Sequence, residues 1–154
     1  MTNLGRKNDL QTKDSKYVYF RFADGILECY VKEIELLDLP AAKVCVQDRL
    51  EFIQNKSYPS LFDITKVKKS TKEARDFMAD QGNELVTASA ILVTSPVLRM
   101  MANFFISVNK PKNPSRMFTD KQAALEWLAQ FKGSYCLALL ATLWAQVAVI
   151  IAVC

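Results

Sequence analysis

KSYPSLFDITKVKKSTKEARDFM, residues 56–78, sets a short apolar run, a basic loop and a helix start within 23 residues. The run Leu61-Phe62-Asp63-Ile64 follows Tyr58-Pro59. Proline cannot donate to a ladder, so the pattern predicts a buried strand that begins after it. Ser70 and Glu73 then form S-x-x-E. The serine hydroxyl would accept from the Glu73 backbone N–H while the carboxylate reaches back to the Ser70 N–H, a capping box that opens a helix. Ala74, Phe77 and Met78 mark the inward side of that helix, and Gly82 is placed to stop it. A strand feeding a helix across so short a loop is half of a strand–helix–strand unit, which pairs its two strands in parallel.

The flanking sequence continues this alternation in both directions. Residues 16–22 and 26–31 are rich in aromatic and β-branched side chains, and Ala23-Asp24-Gly25 between them supplies a tight turn, so a β-hairpin opens the domain. Asp38 is suited to cap a first helix, Pro40 lies in its first turn, and Val46, Leu50 and Ile53 recur at helical spacing until about Asn55. Residues 88–93 read as another apolar strand. Ser95-Pro96 then starts a third helix, whose Val97, Met100, Met101, Phe104, Phe105 and Val108 read as its core-packed face. Two prolines make residues 109–114 a loop, and residues 116–118 a short strand. Thr119 with Gln122 makes a second capping box ahead of Ala124, Trp127, Leu128 and Phe131, in a helix that ends at Lys132-Gly133. The order is ββαβαβαβα, an α/β fold with one mixed sheet covered by helices.

Composition narrows the chemistry. A chain of 154 residues fits one domain with a substantial core: residues 1–15 read as a flexible polar arm, 16–132 as the domain and 133–154 as a hydrophobic tail, expected to be helical. There is no histidine, which removes Ser-His-Asp and Cys-His activation and most common zinc sites. Cys29, Cys45, Cys136 and Cys154 are widely separated and read as free thiols of a reducing compartment. The net charge of +4 is too mild, and too poor in interleaved aromatic residues, to indicate nucleic-acid binding. Isolated glycines form neither a P-loop nor a dinucleotide fingerprint, and Asp63 has no acidic neighbour with which to hold a metal. The expectation is a protein that is not an enzyme and uses no cofactor and no metal.

This order, with FDITKVKKSTKEAR and RMFTDKQAALEWL, resembles the small bacterial STAS-like proteins related to anti-sigma-factor antagonists of the SpoIIAA type, including those described as STAS/SEC14-like. The resemblance covers about residues 16–131. It implies a non-enzymatic binding module with a mixed sheet and helices mainly on one side. It also implies a serine, at the start of the helix after the third strand, that a partner kinase phosphorylates to switch binding. The D-x-x-x-V frame is present as Asp63 and Val67. Where the family has D-S-(S/A)-G-L, this chain has Ser70-Thr71-Lys72-Glu73-Ala74.

Ser70 and Thr71 are therefore the candidate regulatory residues, and Lys66, Lys68, Lys69 and Lys72 the candidate contacts to a phosphate, an acidic headgroup or a protein partner. Ser70 as a plain helix cap, and the lysines as a solvated loop, are the structural alternatives. From Tyr135 to Cys154 there are 20 residues without a charge, enough as a helix to reach across a bilayer core. All charges precede that stretch, which suits a cytoplasmic domain tethered to the inner membrane; a packing helix and an incidental extension are its competitors. The functional expectation is a regulatory, protein-interacting domain. The alternative is a small lipid- or apolar-ligand-binding module, which a water-excluding pocket between the sheet and the third helix would favour.

Overall fold

The computed structural model describes residues 10–133. Residues 1–9 of the expected arm and nearly all of the tail, including the proposed anchor, lie outside the described residues. Among the described residues, no helix is long and apolar enough to cross a membrane.

The elements are β1 (Gln11–Asp14), β2 (Val18–Ala23), β3 (Ile26–Val31), α1 (Leu39–Ile53), β4 (Tyr58–Asp63), α2 (Lys72–Asp80), β5 (Val86–Leu92), α3 (Pro96–Phe104), β6 (Ser115–Phe118) and α4 (Lys121–Ala129). They form one six-stranded sheet in the order β1-β2-β3-β4-β5-β6. The pairs β1–β2 and β2–β3 are antiparallel, and β3 through β6 are parallel. The mixed α/β sheet expected from the sequence is thus present. Its hairpin turns on Asp24 and Gly25, both at positive φ (52° and 75°), the twist that suits a two-residue connection. Right-handed crossovers stepping always in one direction place α1, α2 and α3 on one face; α4 then folds back over the other.

Strand alternation divides the core between those faces. Under α4 lie Ile26, Leu61, Ala88, Ala90 and Leu92, closed by Ala124 and Leu128 and rimmed by Phe118, Trp127 and Phe131. On the other face, Val18, Phe20, Leu27 and Cys29 meet Ile53 of α1, and Ile91 and Val93 meet Leu98 and Ala102 of α3.

Five local expectations are corrected. Gln11–Asp14, read as part of a flexible arm, pairs with β2 as an edge strand; an edge needs backbone pairing rather than apolar side chains. β4 starts at Tyr58, before Pro59. The register shifts between Tyr58 and Ser60, an irregularity where proline's missing N–H is tolerated. The Ser70–Glu73 box does not form, because Ser70 is held extended in a bridge to Leu37: Leu37 N–H donates to the Lys69 carbonyl (2.9 Å) and Thr71 N–H to the Leu37 carbonyl (3.1 Å). Thr71 is the cap instead, its hydroxyl accepting from Ala74 N–H at 3.2 Å. The second box is displaced by one residue in the same way, with Asp120 accepting from Ala123 N–H at 2.8 Å. Finally, α3 buries Leu98 and Ala102, while Val97, Met100 and Val108 are 59%, 67% and 58% exposed. That segment is apolar on several sides, so spacing could not choose the stripe that packs.

Candidate functional site

Between the sheet and α1–α3 lies a cavity of about 130 Å³. Val31, Phe62 and Ile91, from three adjacent parallel strands, form one wall. Opposite them, α1 brings Ala42 and Cys45, α2 brings Ala74 and Met78, and α3 brings Leu98 and Ala102. Each helix thus turns an alanine to the space, and short side chains at these meeting points leave it unfilled. Its size is comparable to the roughly 150 Å³ apolar cavity that stays dry and accepts a benzene-sized molecule.

The polar groups beside it are engaged. Asn83 donates from its amide to the Ala79 carbonyl at 2.9 Å, and its side-chain oxygen accepts from the Ser89 hydroxyl at 3.2 Å. Arg75 Nη1 donates to the Ser70 carbonyl (2.7 Å) and hydroxyl (3.2 Å). The Cys45 thiol is pushed up to about 12, chiefly by burial and further by the Asp48 charge. It stays a thiol, an apolar wall rather than a nucleophile.

The sequence-predicted residues are partly gathered here. Ser70 lines the cavity, with Arg75 beside it, whereas Thr71 serves as the α2 cap. Lys66, Lys68, Lys69 and Lys72 are all exposed. Two of them are already committed to carboxylates: Lys68 pairs with Glu35 and, at 3.4 Å, with Glu33, and Lys72 with Asp76 at 2.7 Å. Arg75 was missed; its signal was its place one turn beyond Ser70, which brings a guanidinium back to the helix start. The alanines were missed because their role is a lack of volume.

A second constellation lies on the α4 face and had no sequence signal, since Lys121 is 91 positions from Tyr30 and Arg21 lies on a neighbouring strand. Glu28, 2% exposed, bonds Arg21 from β2, Tyr30 from its own strand and, at 2.9 Å, Lys121 from the start of α4. Lys121 also bonds the Tyr30 hydroxyl. Burial works against the Glu28 charge, but the hydrogen bonds from Tyr30 and Lys121 and the Lys121 and Arg21 charges outweigh it and hold the carboxyl below its usual value. This network fastens α4 to the hairpin. A buried Arg49 does similar work for α1, donating to the Gly82 and Glu84 carbonyls at 3.2 and 2.8 Å.

The domain is therefore an α/β layer structure with one closed face and one that encloses an apolar cavity. Residues 20–132 match the domain of unknown function DUF7793, and the chain belongs to that family. A solved structure from Shewanella loihica PV-4, an uncharacterised protein of the DUF3478 family described as having a SpoIIAA-like fold, is similar at 14% identity. The match covers 83% of this chain and 98% of that one, with a TM-score of 0.46. No curated protein matches this chain.

Proposed function

We propose that the domain is a non-enzymatic binding module that takes a small apolar molecule, or the apolar end of a larger one, between the sheet and α1–α3. The supporting observation is the cavity itself. Protein interiors normally close such spaces, because lining atoms that face a void lose their contacts. A ligand bound only by the folded state would return that stability. Ser70, Arg75, Asn83 and Ser89 already bond protein groups, so an apolar occupant need break no hydrogen bond to enter. Titrating the full chain with indole tests this by NMR of the Ala42, Ala74, Leu98 and Ala102 methyls. The expected result is a saturable shift confined to those methyls, abolished in Ala102→Phe. No saturable shift up to the solubility of indole, or one that survives Ala102→Phe, rejects the cavity as a binding site.

One contact favours a second reading, a regulated protein-interaction module. Arg75 Nη1 is 3.2 Å from the Ser70 hydroxyl, so a phosphoryl group on Ser70 would meet a guanidinium already in place. Phosphate at Ser70 or Thr71 in protein from its own cells, with partner capture altered by Ser70→Glu, supports it; unchanged capture leaves Ser70 structural. The tail enters as a proposal too: residues 135–154 anchor the chain with the domain on the cytoplasmic side, and Ala145→Arg abolishes resistance to carbonate extraction.

A further inference from the structure

We infer that the outer side of α3 is a docking surface for an anionic lipid bilayer. Three side chains carry the apolar part: Val97, Met100 and Val108, each more than half exposed on one helix and the turn that continues it, Phe105–Asn109. Leu98 and Ala102 hold the opposite side of the helix to the core, so the exposed side chains cannot turn inward without undoing that packing. Along the chain, the charge flanking them has one sign. From Leu85 through Thr119 there is no acidic residue, and Arg99, Lys110, Lys112 and Arg116 are basic. Lys112 is neutralised by Asp80 at 2.5 Å and Arg116 lies over the Phe118 ring, which leaves Arg99 and Lys110, both exposed, as the remaining cations of this stretch of chain.

An apolar helix side flanked by basic residues is the arrangement that lies in a bilayer interface, with its apolar side chains below the headgroups and its cations among the acidic ones. A second copy of the chain would set Arg99 and Lys110 against their equivalents. The uncharged stretch 135–154 would offer them no counter-charge. The inference needs neither a ligand in the cavity nor insertion of residues 135–154.

The test uses the full chain with Cys45, Cys136 and Cys154 replaced by serine and Met100→Cys carrying an environment-sensitive fluorophore; Cys29 is buried and stays unlabelled. The expected result is a blue shift on adding vesicles of phosphatidylcholine with phosphatidylglycerol, weaker with phosphatidylcholine alone and reversed by salt. Arg99→Gln with Lys110→Gln should weaken the anionic response about thirtyfold, from about 1 kcal/mol per basic residue near the surface. A blue shift already present without vesicles means that another part of the chain covers the helix. A shift produced by polyglutamate alone means an acidic protein partner, and sedimentation with vesicles without any shift at residue 100 means binding elsewhere. Each of these three results overturns the inference.

Discussion

Under α4, Ile26, Leu61, Ala88, Ala90, Leu92, Ala124 and Leu128 are almost wholly buried, and Trp127 packs between Phe118 and Phe131 with ring centroids at 5.6 and 4.8 Å. Under α1–α3 the same strands meet three helices, and the contact leaves a cavity of about 130 Å³. One helix laid diagonally can fit its side chains into a sheet as a single adjustment. Three helices that also meet one another must satisfy several packing contacts at once, and short side chains at the shared point leave space. Stability is thus concentrated on one face and adaptability on the other, which is where a binding function has room.

The comparison breaks most readily at Leu128. It is wholly buried on the closed face, so Leu128→Ala should cost about 2–5 kcal/mol, measured by urea denaturation. Leu98→Ala, beside the existing space, should fall near the low end, at about 2 kcal/mol, since fewer atoms surround it. Equal costs at the upper end would mean that both faces are equally closed.

A sharper version applies one substitution to both faces. Ala124 is wholly buried in the packed cluster, and Ala124→Leu should overpack it by about 1–3 kcal/mol. Ala102 faces the cavity, and Ala102→Leu should stabilise by about 0.5–1 kcal/mol, raising the denaturation midpoint without changing the slope. Destabilisation by both would show that the α3 side has no usable space.

How much of this was legible in the sequence follows from what each feature rests on. The strand–helix alternation, the Asp24-Gly25 hairpin, the Asp38 cap and the Ser95-Pro96 start depend on neighbours in the chain, and all appear as read. The Ser70 cap failed because a residue 33 positions away, Leu37, holds its backbone extended. On α3, Val97, Met100 and Val108 of the expected packed face are exposed, because apolar residues occur on several sides of that segment and spacing alone could not choose among them. The cavity and the Glu28 network arise only when separate elements meet, and no local pattern encodes them, whereas the Arg75 contact to Ser70 lies within one helix start and was legible.

The displaced cap gives the third prediction. Thr71→Ala should cost about 1 kcal/mol by loss of the bond to Ala74 N–H. Ser70→Ala, which loses only the hydroxyl's share of the Arg75 contact, should cost less. The reverse order, measured in parallel denaturation curves, would return the cap to Ser70.

The smallest effect is expected from pH, and it separates the closed face again. The Glu28 carboxyl lies below its usual 4.5, so its share of stability is fully present above that value and is lost as pH falls through the lowered one. Lys121 is the opposite case: burial opposes its charge, but the bonds with Tyr30 and Glu28 prevail and raise it above 10.5, so its share is present below that value and lost as pH climbs through the raised one. Burial of Glu28 cancels much of what its partners supply, and Arg21 and Lys121 are 38% and 45% exposed. The net contribution should therefore stay within the ~0–1 kcal/mol of a screened ion pair. Glu28→Gln should remove a small part of the loss in stability between neutral pH and about pH 3. It should leave indole titration of the cavity unchanged, because the network and the cavity lie on opposite faces. An acid limb of the same depth in Glu28→Gln would mean that the network only positions α4, and altered indole binding would mean that the two faces are coupled through the sheet.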